Sequence, residues 1–360
     1  MTKLVEMQTR DRQEWLPTFT PSAEIQKEAT PAGVKKEGYY GLPMLKRPTW
    51  RWQIACYFFL EGVSAGSFLM ASLAARSADK RLRPVTRAGH YTALLAFIPC
   101  PPLLIADLGD PSRFHHMLRV FKPSSPMNLG SWALSAYSLP LTLLAAKQFA
   151  EELSKKYPPL KGAARLIPAR LLGWLGLPLA LTMASYTGVL LAATSTPLWA
   201  TSRCLGALFA TSAINSGVAA TSLHLALHND GARQALRSLE KVERVARISE
   251  AVAIGFYLAT TGKAAKPLMR GRYGCQFWLG AIGVGLVAPA LLQAMRPKRR
   301  KQSRVVTILR SALSLAGGFA LKWAIVHAGR ASAEDVESAR HASRPSRNAP
   351  GWGPGAESRR

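Results

Sequence analysis

An all-α polytopic membrane protein, with eight transmembrane helices arranged as two four-helix bundles, is the fold class this sequence predicts. Three observations lead there. The apolar residues of the 360-residue chain fall into eight blocks of roughly 17–30 residues, and about 20 apolar residues suffice for a helix to cross the ~30 Å hydrocarbon core. The cationic residues that give the formal net charge of +27 sit in short connectors between those blocks, which is how membrane topology is written. They do not line one amphipathic face, as a nucleic-acid surface would require, so nucleic acid is excluded as a partner and the bilayer takes its place. The two ends of the chain are polar, which leaves a membrane domain over 50–329 between tails over 1–49 and 330–360.

Each element has its own justification. Residues 1–49 carry acids and bases without an apolar core, so no cleavable signal peptide is expected. They close on YYGLPMLKRPTWRW, where aromatics and cations meet at a membrane interface. The first span, about 50–75, contains Gly62, Ser64, Ala65 and Gly66, small enough to admit a neighbouring helix closely. It also carries Glu61 near mid-span, and a carboxylate there is costly unless it faces a partner, a cavity or a proton path. The second span, about 88–106, is interrupted by Pro99, Pro101 and Pro102, which remove backbone donors and kink it. Span three covers about 130–147 and span four about 171–193. Span five, about 198–228, exceeds what a bilayer requires and is expected to tilt or protrude. Spans six to eight cover about 245–262, 275–295 and 305–329. From Arg330 onward the composition is rich in Ser, Ala, Gly, Pro and Arg, and disorder is expected.

The connectors then fix orientation. Those after spans one, three, five and seven hold 5, 6, 5 and 6 Lys/Arg, against 3 and 4 after spans two and six. The richer set faces the cytoplasm of a bacterial inner membrane, so both termini and the Asp107–Trp132 loop are expected in the periplasm. That loop, DLGDPSRFHHMLRVFKPSSPMNLGSW, is punctuated by Pro and Gly and carries Arg113, His115, His116, Arg119 and Lys122. A loop of this composition between two spans is more consistent with a site than with a spacer.

The helical rise of about 1.5 Å per residue gives depths. Tyr57 lies seven residues in from Trp50, Tyr186 seven before Ala193, and Lys322 seven before Gly329. All three are therefore expected about 10 Å below the outer surface. Glu61 lies about one turn deeper and Asp107 near the outer rim. Such a lipid-accessible pocket, with phenols and a carboxylate, suits a quinone, whose carbonyls need hydrogen bonds and whose two-electron chemistry needs protons moved. The bland reading is that interfacial tyrosines anchor and that Lys322 snorkels. Glu61 and Asp107 are the candidates for proton transfer; Tyr57, Tyr186, Lys322 and Arg113 are the candidates for the pocket.

The wording of several segments resembles the polysulfide reductase/NrfD family of membrane subunits: YYGLPMLKRPTW, YFFLEGVSAG, the Asp107–Trp132 loop, SYTGVLLAATSTPLW and LAGGFALKWAIVHAG. The resemblance runs from about Tyr39 through Arg330. It implies an eight-helix, quinone-reactive subunit docked on a ferredoxin-like four-cluster iron–sulfur subunit, itself joined to a molybdopterin catalytic subunit. It also implies a head group near the outer face, between spans one and four, with Tyr186 matching the tyrosine of that pocket. Tyr57 stands where the polysulfide reductase branch has a histidine, and Ile54 where it has an asparagine. Menaquinone or ubiquinone is the implied cofactor, noncovalently held.

No redox centre is expected in the chain itself. Cys56, Cys100, Cys204 and Cys275 are far apart without a Cys-x-x-Cys pair, so no iron–sulfur cluster or zinc site is encoded. A b-haem anchor is the rival reading, because His224 and His228 are spaced i, i+4, with His90 and His327 elsewhere. Two rings on one helical face point the same way, whereas haem takes ligands from opposite sides. A proton-coupled transporter would also use buried charges and broken helices, but no half-length repeat is visible.

Overall fold

The computed structural model describes residue 45 and residues 48–228, 233–295 and 303–334. Among these there is no β-strand, and the long helices are α1 (Trp52–Arg76), α2 (Arg83–Phe97), α3 (Cys100–Ala106), α4 (Pro126–Leu153) and α5 (Ala169–Ala192). They continue with α6 (Leu205–His228), α7 (Arg233–Thr261), α8 (Gly271–Ala294) and α9 (Arg304–Glu334). Among the described residues six stretches are long and apolar enough to cross a membrane: α1, Lys80–Ala106 (which holds α2 and α3), α4, α5, α8 and α9. The remaining two expected spans exist as the helices α6 and α7, which carry more polar sequence.

The reason differs between the two. α6 lies at the centre, packed against α1, α2, α5, α7 and α9. Its Ser212, Asn215, Ser216, Thr221 and Ser222 are buried in protein, an environment that tolerates hydroxyls where lipid would not. α7 begins earlier than its expected 245, because one face of its polar first half is buried, with Glu243 and Arg247 paired there. Arg310 of α9 reaches Glu240 and Glu243, each at 3.0 Å, and Arg247 meets Glu243 at 2.9 Å.

Close backbone approach holds the helices. At Gly66 and Gly217, where α1 crosses α6, a Cβ on either residue would overlap the other helix's backbone, and Gly285 and Gly317 repeat this between α8 and α9. Small residues permit such contacts in membrane helices, where packing rather than the hydrophobic effect joins helix to helix. Within α8, residues Gln276–Val287 form wide π-helical turns, a geometry rare in long runs.

Prolines act where their chemistry directs. Pro99 ends α2, and Pro101 and Pro102 occupy the first turn of α3, where a missing N–H costs little. Pro126 opens α4 behind the Ser125 cap. Further boundaries differ from expectation. The long fifth span is divided: Pro197–Ala200 forms a short separate helix before α6, placing Trp199 in the core. The helix expected to end near 329 runs to Glu334, since Ser332 and Ala333 are buried. The N-terminal tail and the residues beyond 334 lie outside the described residues, except that 45, 48 and 49 are seen.

Candidate functional site

A cavity of about 500 Å³ lies between the start of α1, the end of α3, the first half of α4 and the second half of α5, beneath the loop that follows Asp107. Its wall is mainly apolar: Trp50, Ile54, Phe58, Phe97, Leu104, Leu134 and Leu190. The loop contributes Phe114, Met117 and Leu118, and the first turn of α4 contributes Met127. Three polar side chains named from the sequence, Tyr57, Asp107 and Tyr186, share this one cavity.

Their settings differ. The Tyr186 hydroxyl donates to the Pro126 carbonyl at 2.5 Å, and the ring lies against Gly130, where any Cβ would strike it. Its proton is thus committed to the backbone, and the oxygen lone pairs remain to accept. Tyr57 is 3% exposed, and among the described residues no group takes up its hydroxyl. Tyr57 therefore has a donor to offer. Asp107, just past the end of α3, is held above the ordinary carboxylate range by burial, with the Arg51 backbone N–H and the Arg51 and Arg330 guanidiniums acting in the opposite direction. A carboxyl in that state exchanges protons nearer to neutral pH than an exposed aspartate.

Glu61, one helical turn from Tyr57, is fully buried outside the cavity, and neither carboxyl oxygen has a hydrogen-bond partner. Lys322 is also buried behind the wall. Its Nζ sits 3.4 Å from the Phe209 ring centroid and 3.4 Å from the Phe209 carbonyl, and it interacts electrostatically with Glu250 and Glu61. Glu250 in turn accepts from Asn215 at 2.7 Å. The structure therefore does not bring Lys322 to the cavity: the helical rise gives its depth along α9, but the side chain points toward α6. Arg113 is not in the lining either, because its exposed guanidinium pairs with Asp110 at 3.0 Å. His90 is buried beside Gln148 at 2.8 Å. His224 and His228 lie on one face of α6 with ring centroids 4.9 Å apart.

Sequence reasoning misses three parts of the site. Trp50 reads as an interfacial anchor, yet it stacks on the buried Trp199 at 5.4 Å and lines the cavity. Ser131, Ser135 and Ser138 also line it; their i, i+4, i+7 spacing within an apolar helix is a usable signal. Asn128 ties down the loop, donating to the Met117 and Val120 carbonyls at 2.6 and 2.9 Å and accepting from the Lys122 N–H at 2.7 Å.

Six apolar membrane-length stretches among the described residues, four of them enclosing a loop-covered apolar cavity, define an integral membrane protein with a pocket suited to an apolar ligand bearing a few polar atoms. Residues 42–333 match the polysulphide reductase, NrfD family. The chain belongs to that family. It is 32% identical over 300 residues to a polysulfide reductase chain of Wolinella succinogenes, covering 78% of this protein and 94% of that one. To protein NrfD of Escherichia coli it is 29% identical over 308 residues, covering 78% and 95%. A selenate reductase subunit of Mesobacillus selenatarsenatis is 24% identical over 294 residues, covering 70% and 68%.

Proposed function

We propose that this protein is the quinone-reactive subunit of a respiratory oxidoreductase in the bacterial inner membrane, crossing it eight times with both termini in the periplasm. The observation that carries the reading is the sharing of one largely apolar cavity by Tyr57, Tyr186 and Asp107. Its volume of about 500 Å³ lies within the usual range for small-molecule sites, and its apolar wall suits a prenylated ring. The basic connectors support the orientation, which sets this cavity in the outer leaflet. Two of the relatives are named as parts of reductases, one of polysulfide reductase and one of selenate reductase, which supports assembly with further subunits. By the family resemblance these are a ferredoxin-like four-cluster protein and a molybdopterin catalytic subunit.

A bound quinol supplies two electrons and two protons, and a bound quinone accepts them. The residues of this chain divide the remaining work. Tyr186, its own proton held by Pro126, accepts from a ligand O–H, whereas Tyr57 donates to a ligand oxygen. Asp107 takes or gives a proton at the periplasmic rim. Glu61, Lys322, Glu250 and Asn215 form a buried polar file behind the wall, the alternative proton route toward the other face. The exposed Phe121, Val120 and Arg119 of the loop offer the iron–sulfur partner an apolar and basic docking face. Ser131, Ser135 and Trp50 shape the cavity, and Asn128 keeps the loop closed over it. The test is quinol-linked turnover of the assembled complex carrying Tyr186→Phe or Glu61→Gln. Slowed turnover in both is expected, and unchanged rates in both would remove these residues from the mechanism.

A further inference from the structure

A second cavity, of about 490 Å³, lies at the opposite end of the helices, between the start of α2 and the ends of α4 and α6. Its wall carries Arg83, Arg87, Tyr91, Glu152, His224 and His228. The one carboxylate is already engaged: Arg87 pairs with Glu152, and the Tyr91 hydroxyl donates to it at 2.8 Å. His228 commits its Nδ1–H to the His224 carbonyl at 3.1 Å, and His224 Nδ1 meets the Thr92 hydroxyl at 3.2 Å. With Nδ1 accepting from Thr92, His224 keeps an Nε2–H to donate to a ligand, whereas His228, its Nδ1–H engaged, donates from Nε2 as the imidazolium. Arg83 forms no ion pair among the described residues, so its guanidinium is the uncompensated positive charge of the cavity.

Following the α2 face upward explains what kind of anion fits. Arg83, Arg87, Tyr91 and Leu95 succeed one another at i, i+4 spacing, hence on one side of the helix. Leu95, and Ile98 just beyond α2, are exposed. One surface thus passes from cations, through a phenol, to bare aliphatic side chains along the membrane direction. A soluble anion would use the first part only. A phospholipid would use all of it, and basic pockets between transmembrane helices are suited to anionic head groups. We propose that this cavity binds the phosphate group of an anionic phospholipid, with Arg83 and the two histidine Nε2 atoms on the phosphate and an acyl chain along Leu95 and Ile98. The site is separate from the cavity assigned to quinone and does not depend on that assignment.

The test uses the full chain purified in detergent and stripped of lipid. Native mass spectrometry would count retained phosphatidylglycerol, phosphatidylcholine of the same acyl chains, or inorganic phosphate. One phosphatidylglycerol retained at least about tenfold more strongly than phosphatidylcholine is expected, lost in Arg83→Gln and weakened in His228→Gln, and unchanged in the exposed control Arg165→Gln. Both test residues are at the surface, and monodisperse elution of each variant establishes folding. Equal retention of the two lipids, or retention unaffected by both substitutions, would overturn the proposal. Inorganic phosphate binding as tightly as the lipid would overturn it too, in favour of a soluble phosphate site.

Discussion

Replacing Gly130 by alanine perturbs the pocket without altering the chemistry of any side chain that faces the ligand. The added Cβ would overlap the Tyr186 hydroxyl and ring, so the phenol must swing away from the Pro126 carbonyl it holds at 2.5 Å. Overpacking of this kind costs about 1–3 kcal/mol, and loss of the hydrogen bond about 0.5–1.5 kcal/mol. If Tyr186 positions the ligand through its oxygen, turnover should fall by the second amount alone, about two- to thirteenfold. The stability loss should reflect both. A cycle with Tyr186→Phe separates them. Phenylalanine removes the atom that collides first, so the double variant should regain part of the melting temperature lost in Gly130→Ala while its turnover matches that of Tyr186→Phe. The assays are thermal unfolding of the detergent-solubilised protein and quinol-linked turnover of the assembled complex. Gly130→Ala with unaltered turnover would show that the Tyr186 position has no bearing on the chemistry, and the two-tyrosine reading would fall.

Three further outcomes are expected. Asp107→Asn should alter how stability depends on pH. The folded carboxyl is raised by burial, so the wild type loses stability as pH rises from the ordinary carboxylate value of about 4 through the folded value, and the loss persists above it. The variant should therefore melt higher than the wild type near pH 7, with the difference vanishing below about pH 4; parallel melting curves across that range would refute it. Asn128→Ala removes three hydrogen bonds that pin the loop, each worth about 0.5–1.5 kcal/mol. Hydrogen exchange at Met117–Lys122 should accelerate while α1 stays protected. Glu243→Gln leaves Arg247 and Arg310 short of a buried carboxylate and should destabilise by about 3–5 kcal/mol, read by thermal unfolding against Glu151→Gln, whose pair with Lys147 is exposed on the acidic side and should change stability by less than about 1 kcal/mol.

Position along a helix can be read in this sequence; direction around the helix cannot. The 1.5 Å rise places Tyr57 and Tyr186 at one level, and they line one cavity. The same arithmetic applied to Lys322 yields a depth and nothing about azimuth, and its ammonium lies over Phe209 instead. Arg113 is likewise near the site in sequence, but Asp110, three residues before it, captures the side chain. Apolar blocks locate the outer helices, because those face lipid and must be apolar. They are less informative for α6, which is mostly buried in protein, and for the polar half of α7, whose buried charges find partners only in the fold. The π-helical turns of α8 are invisible in the sequence, since LGAIGVGLV has the same apolar composition whichever helix type it adopts.

The two phenols acquire their meaning from what each already bonds. In a pocket where both hydroxyls were free, either could donate or accept, and the oxidised and reduced forms of a ligand would be held alike. Here Pro126 holds one proton and leaves Tyr186 an acceptor, while Tyr57 retains its own to give. A ligand with two hydroxyls satisfies both at once, because a hydroxyl oxygen accepts from Tyr57 as readily as the other O–H donates to Tyr186; a ligand with two carbonyls has no proton for Tyr186 and satisfies Tyr57 alone. Because the geometry that fixes Tyr186 comes from Gly130 and Pro126 at the start of α4, and the loop tied by Asn128 leads directly into that helix, a displacement of the loop would be felt at the Tyr186 hydrogen bond. The covering loop and the acceptor in the pocket are therefore one mechanical unit, and the donor on α1 is outside it.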